Sequence, residues 1–137
     1  GIPLSTTRII GFQFFKYGIE GFLQWGFNFY NSQYSLRSID PFAVTDADSA
    51  FPSGDSFTVY PGKSGAIESV RSEVFYQALQ DIRALTLLCD RIGKKRTIAA
   101  VEADFGIITF FDYPRGTGKM LKLRKSVNNY LDNLNKQ

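Results

Sequence analysis

From Ser69 to Ile92 the apolar residues Val70, Val74, Ala78, Ile82, Leu85, Cys89 and Ile92 return every three or four positions, and Gly93 follows them. That period marks a helix with one buried stripe, and a glycine just past it is the residue that most easily ends a helix. A second helix is predicted from Thr6 to Tyr17, with Ser5 placed to cap its first amides and Gly18 placed to stop it in a left-handed conformation. A shorter helix is predicted from about Lys95 to Asp104, before Gly106. The last runs from about Gly118 to Leu134, with Leu123, Val127, Tyr130, Leu131 and Leu134 on one side.

Between Gly21 and Tyr30 the period changes to two. Leu23, Trp25, Phe27 and Phe29 alternate with Phe22, Gln24, Gly26 and Asn28. This predicts a strand whose apolar face packs on outer helices and whose sparser polar face looks into a barrel or its mouth. Asn31 to Ser56 holds Pro41, Pro52 and Gly54 among polar residues with no clean period, and is read as a long loop of the kind that carries function. Phe57 to Tyr60 is then a short second strand, closed by Pro61 and Gly62.

The resulting order is an α/β alternation with only two strands. Parallel strands joined by crossovers belong in sheets covered on both faces, and a (β/α)8 barrel takes about 250 residues to close. The expected fold is therefore the C-terminal portion of a (β/α)8 TIM barrel spanning 1–137. It comprises the last two strands and helices, with two terminal helices over 94–137. The two strands are expected to be adjacent and parallel, with the Ser69 to Ile92 helix on their outer face, and roughly six strands are expected upstream. A start at Gly1, with Met120 the only methionine, fits a processed or excised segment. Such a piece is expected to self-associate or to join the remainder of the barrel, because an opened barrel exposes strand edges.

Composition narrows the chemistry. Hydrophobic residues make up 44% and charged residues 21% of 137, enough apolar content for a packed core and too little charge for a disordered chain. The net charge of +3 gathers in Lys94, Lys95 and Arg96 and again in Lys119, Lys122, Arg124 and Lys125, near predicted helix ends. That pattern reads as solvated faces rather than a nucleic-acid surface, which would interleave cations with exposed aromatics. With no histidine and one cysteine, internal disulfides, the usual zinc sets and histidine triads are all excluded. Cys89 lies on the apolar stripe and is read as a core thiol. Asp46 and Asp48 suggest a calcium loop, but its sixth position is Phe51 where glycine is required. No stretch reaches the roughly 20 apolar residues of a membrane span. Neither a cofactor nor a metal is expected.

Three motifs carry a resemblance. Gly21-Phe22-Leu23-Gln24-Trp25-Gly26-Phe27-Asn28 matches a strand pattern G-x-L-x-W-x-x-N. Gly54-Asp55-Ser56-Phe57-Thr58-Val59-Tyr60-Pro61-Gly62 matches G-D-G-x-x-x-Y-P-G. Ser69-Val70-Arg71-Ser72-Glu73, with Asp81 and Leu85, matches S-I-R-x-E-x-x-R-D-G-x-E-D-Y-x-x-L. In this order, over residues 8–88, the chain resembles domain of unknown function 4091, the C-terminal part of proteins similar to glycoside hydrolase family 123. It departs at Ser56, which replaces the second glycine of G-D-G, and at Tyr76, Gln77, Ala78, Gln80 and Ile82, where Arg, Asp, Gly, Glu and Tyr are usual.

The resemblance implies retaining hydrolysis of β-linked N-acetylgalactosaminides, in which the substrate's acetamido oxygen attacks the anomeric carbon. A neighbouring Asp-Glu pair polarises the acetamide and protonates the leaving oxygen, because an oxocarbenium-like transition state needs both a positioned nucleophile and an acid. No Asp-Glu dipeptide occurs in this chain, so the pair is expected on an earlier strand and the segment is expected to be inactive alone. Trp25, Asn28, Tyr30, Asp55 and Tyr60, at strand ends, are the candidate carbohydrate-binding residues. An indole can stack on a pyranose, and Asn28 and Asp55 can bind hydroxyls. Strict alternation sends Trp25 and Asn28 to opposite faces, so Trp25 is either a packing residue or re-aimed by a bulge at Gly26. Arg71 and Glu73 are read as a structural pair or as ligands of loop carbonyls. The alternative function is a non-catalytic carbohydrate-binding or interaction module, suggested by Tyr30, Tyr34, Phe42 and Phe51.

Overall fold

The long helix begins where serine chemistry allows it. Ser69 Oγ accepts the amides of Arg71 and Ser72 at 3.1 and 3.4 Å, while Ser72 Oγ accepts the amide of Ser69 at 3.0 Å. This is a reciprocal cap with serine in place of the usual Glu. In the computed structural model, which describes residues 4–136, the helices are α1 (Leu4–Tyr17), α2 (Val70–Ile92), α3 (Lys94–Phe105) and α4 (Thr117–Asn135). All four sit within two residues of their sequence-predicted bounds. Helix α1 includes position 5, so Ser5 is not its cap; the Ser5 side chain lies outside the described residues. Gly18, Gly93 and Gly106 end helices with positive φ, as their positions suggested.

The strands differ from expectation. Among the described residues the one sheet is a hairpin, β1 (Val59–Pro61) antiparallel to β2 (Ala66–Glu68), with Tyr60 opposite Ile67. Gly21 to Tyr30 is not a strand. It touches the second predicted strand at one isolated bridge, Asn28 to Phe57, and that bridge is antiparallel, which overturns the expected parallel pair. The alternation of side chains is real, but a strand exists only where a ladder partner does, and among the described residues backbone hydrogen bonds to the Ser56–Val59 run reach only Phe27 and Phe29. Leu23 and Phe27 are 83% and 55% exposed, contrary to the apolar face assigned to them. The segment from Pro61 onward, read as a turn, supplies the second strand. The architecture is α/β in the coarse sense of four helices and a small sheet among the described residues.

The described residues divide into two compact units, 22–74 and 4–21 with 75–136; α2 starts in the first and continues in the second. The helical unit owns the larger core: Ile9, Phe12, Ala84, Leu85, Leu88, Val101, Ile108, Met120, Leu123 and Val127. On α2 the buried stripe is Ala78, Asp81, Ala84, Leu85 and Leu88. That face is rotated from the predicted one, because an arginine pair makes Asp81 an inward residue. Cys89 is consequently only partly buried rather than a core thiol, and Tyr130 lies on the exposed side of α4. Buried Gln13 donates to Thr109 O at 2.8 Å, and Lys16 donates to Glu102 Oε1 at 2.5 Å and to Ile108 O at 2.7 Å, tying the segment after α3 to α1.

Candidate functional site

The unit over 22–74 is built around a tight turn, Gly54 to Phe57. A Cβ at Gly26 would lie 2.4 Å from Asp55 O and 2.8 Å from the Ser56 backbone, so only glycine lets the two chain segments approach this closely. Phe29 N donates to Ser56 O at 3.0 Å and Thr58 N to Phe27 O at 2.8 Å. At the other end Gly54, with φ +81, donates its amide to Thr45 O at 2.6 Å, and Asp55 N reaches Pro52 O at 3.0 Å. The Asx-type turn at Asp46 and the Arg37–Asp48 ion pair order the loop that faces Gly54.

Side chains then stack on the turn. Phe57 is fully buried, and Tyr60 meets it edge-on at 5.0 Å while Tyr30 meets it at 5.7 Å. Phe42, 62% exposed, lies nearly parallel to Tyr60 at 5.1 Å. Arg71 lies over Phe57 at 5.1 Å and over Tyr60 at 5.8 Å, and its Nε donates to Phe57 O at 3.0 Å. Ser56 Oγ and Arg71 Nη2 are buried without a hydrogen-bond partner among the described residues. Native structures rarely retain such groups, and those that persist gather at sites with another task.

Four of the five sequence candidates sit on or beside this turn, though not all in the same way. Asn28 bridges to Phe57, and Asp55 is the turn itself; its carboxylate has no hydrogen-bond or ion-pair partner among the described residues. Tyr60 joins the ring stack. Tyr30 joins it too, but its hydroxyl already donates to Val59 O at 2.7 Å, and burial pushes its pKa upward. Trp25 belongs to a separate aromatic group, 4.8 Å from Phe51 and 5.5 Å from Phe29, and is 47% exposed. Its ring packs against these two and keeps one side open; Gly26 serves close approach to Asp55. Of the pair Arg71 and Glu73, Arg71 does bind a loop carbonyl. Glu73 instead shares a hydrogen bond with Glu68, which raises its pKa, with the like charge of Glu68 adding to the shift. That carboxyl pair stands fully in solvent and lacks the enclosure a general acid needs.

Sequence reasoning passed over Phe57 as the centre of the stack. Its place two residues after Asp55, in a run of β-branched and aromatic neighbours, was the available signal. Phe42 was noticed only as part of an aromatic loop; nothing local indicates that it reaches Tyr60, eighteen positions on. The arrangement can recognise a neutral ring bearing hydroxyls: aromatic faces for its C–H surface, a carboxylate and an amide for its oxygens. Among the described residues no acidic or sulfur cluster could hold a metal ion, and no helix is long and apolar enough to cross a membrane.

A family model described as glycoside hydrolase 123, catalytic domain, matches residues 2–88, which is more than half of the 137-residue chain and contains the whole turn and its ring stack. No curated protein matches the sequence.

Proposed function

From a chain that belongs to the glycoside hydrolase 123 family, we propose a C-terminal segment of a (β/α)8-barrel hydrolase that binds N-acetylhexosamine-containing glycans without carrying the catalytic acid. Asp55 and Asn28 receive sugar hydroxyls, Trp25 offers an aromatic face on its open side, Tyr60 borders the site from within the ring stack, and Tyr30 fixes the stack through Val59. The observation that carries this reading is the Asp55 carboxylate, unpartnered among the described residues on a turn held by the Gly54 and Asp55 amides, which donate to Thr45 O and Pro52 O. A carboxylate held in this way binds hydroxyls with little ordering cost. The absence of an Asp-Glu dipeptide supports a division of labour in which the acetamide-polarising residue and the acid lie elsewhere in the barrel.

The test is a titration of the chain with N-acetylgalactosamine followed through Trp25 emission, beside an assay with p-nitrophenyl N-acetyl-β-galactosaminide. The expected result is a saturable emission change, weakened by D55N, with no turnover. Turnover abolished by D55N would move the catalytic acid onto Asp55, and no emission change at millimolar sugar would remove the binding role. The 62% exposure of Phe42 against Tyr60 favours a second reading, a non-catalytic carbohydrate-binding module. The two separate on whether adding the upstream barrel restores turnover.

A further inference from the structure

We infer that Arg71 is a positioning residue: it sets the conformation of the Gly54–Phe57 turn and of the Tyr60 ring, and through them the place of the Asp55 carboxylate. The hydrogen bond and ring contacts of its guanidinium among the described residues fall on that stretch. Nε donates to Phe57 O at 3.0 Å, and the plane lies 5.1 Å from the Phe57 ring and 5.8 Å from the Tyr60 ring. At the start of the turn, a Cβ on Gly54 would come within 2.8 Å of Nη1, so the turn and the guanidinium are fitted against each other.

One other task for Arg71 fails on the same geometry. It is not half of an ion pair, since no carboxylate lies within 4.0 Å of it among the described residues and Glu73 is engaged by Glu68. Of its donors Nε is hydrogen-bonded and Nη2 is buried without a partner among the described residues. The guanidinium is a planar cation set against a turn and two rings. Lysine cannot reproduce that shape, since an ammonium has no plane to stack and no fixed fork. Arg71 itself is held by the capped first turn of α2, where Ser69 Oγ accepts its amide at 3.1 Å and donates to Thr58 O. The helix start thus reads the turn's backbone twice, at Phe57 and at Thr58.

The importance given to Asp55 rests on the sugar-binding reading above; the pinning of the turn does not. The full chain is therefore compared as wild type, R71Q and R71K by amide exchange at Phe29, Gly54, Asp55 and Thr58, whose N–H groups are hydrogen-bonded around the turn. Sugar affinity is read in parallel from Trp25, the sole tryptophan. In R71Q, exchange at those amides is expected to rise about tenfold or more while α3 and α4 keep their protection, and R71K is expected to recover little of the loss. N-acetylgalactosamine affinity should fall by about tenfold with it. Unchanged exchange at the turn overturns the proposal, as does a rise spread equally over α3 and α4, which marks a general loss of stability. A local rise with unaltered affinity overturns the link to Asp55. Wild type that shows no sugar response, together with a local rise, removes the sugar reading and leaves the positioning role standing. If R71Q does not fold, R71K alone decides between the same outcomes.

Discussion

Arg8 holds both oxygens of Asp81, Nε to Oδ2 at 2.8 Å and Nη2 to Oδ1 at 3.2 Å, around a carboxylate side chain only 7% exposed. Arg124 reaches Oδ1 at 2.9 Å from α4, so one buried acid gathers α1, α2 and α4. Removing it leaves two partly buried cations without a counter-charge, which costs far more than the pair is worth in isolation. D81N is expected to destabilise the helical unit by about 3 kcal/mol. Thermal unfolding by circular dichroism checks it, and a midpoint within a degree or two of wild type would show the cluster to be energetically idle.

Close to that cluster, α1 and α2 touch backbone to backbone. A Cβ at Gly11 would fall 2.5 Å from Ala78 O, closer than real contacts permit. Alanine improves helix propensity over glycine by about 1 kcal/mol, but a carbonyl oxygen inside a helix cannot step aside, and overpacking of this kind costs about 1–3 kcal/mol. The clash wins. G11A should lower stability by about 1 kcal/mol despite its better propensity, measured by urea unfolding.

These two contacts show why the helices were legible in the sequence and the sheet was not. A helix closes its hydrogen bonds locally, so the 3.6 period of α2 and the glycines after α1, α2 and α3 suffice to place its ends. The buried face of α2 slipped because Asp81 counts as polar until Arg8, seventy-three positions away, is known to cover it. Strands depend on partners. Leu23 to Phe29 alternates as a strand does, yet only Phe27 and Phe29 find backbone acceptors or donors near Phe57. Of the candidate residues, expected at strand ends, Asp55 lies on a turn and Tyr60 in a ring stack, neither of which the motif implied. The loop carbonyl bound by Arg71 was foreseen in kind, but its ring contacts and the contact of Phe42 with Tyr60 are tertiary and have no local trace.

Glu68 and Glu73 make stability depend on pH in an unusual direction. The folded pKa of Glu73 lies above its ordinary 4.5, mainly through the hydrogen bond with Glu68 and next through its charge. A raised carboxyl pKa means the folded chain binds the extra proton, so this contribution is present at low pH and fades as pH rises through the raised value. Above it the two carboxylates repel. E73Q keeps the hydrogen bond without the charge, so its melting midpoint should exceed wild type at pH 7, with the difference vanishing toward pH 4. A constant offset across that range would reject the coupling.

Ser56 is buried, and its Oγ finds no partner among the described residues. An unpaired buried hydroxyl costs about 1–3 kcal/mol, whereas the methyl of alanine fits the same space. S56A should be as stable as wild type or up to about 1 kcal/mol more stable, by urea unfolding. A loss greater than that would mean the hydroxyl has a partner.

The last prediction concerns association. Leu23, Phe27 and Trp25 are 83%, 55% and 47% exposed within one short stretch, an apolar surface that single solvated residues do not explain. At about 25 cal/mol per Å² of apolar surface, covering a few hundred Å² returns several kcal/mol, and a stable dimer needs about 800 Å² from each partner, to which this stretch contributes a large part. The chain should therefore self-associate at micromolar concentration, with a weight-average sedimentation coefficient that climbs as concentration rises. L23S and F27S, at positions that contribute little to either core, should lower that climb while leaving the far-ultraviolet spectrum unchanged. A concentration-independent monomer with a sharp, concentration-independent melting transition would refute the prediction, and would mean that Leu23 and Phe27 tolerate water at that exposure.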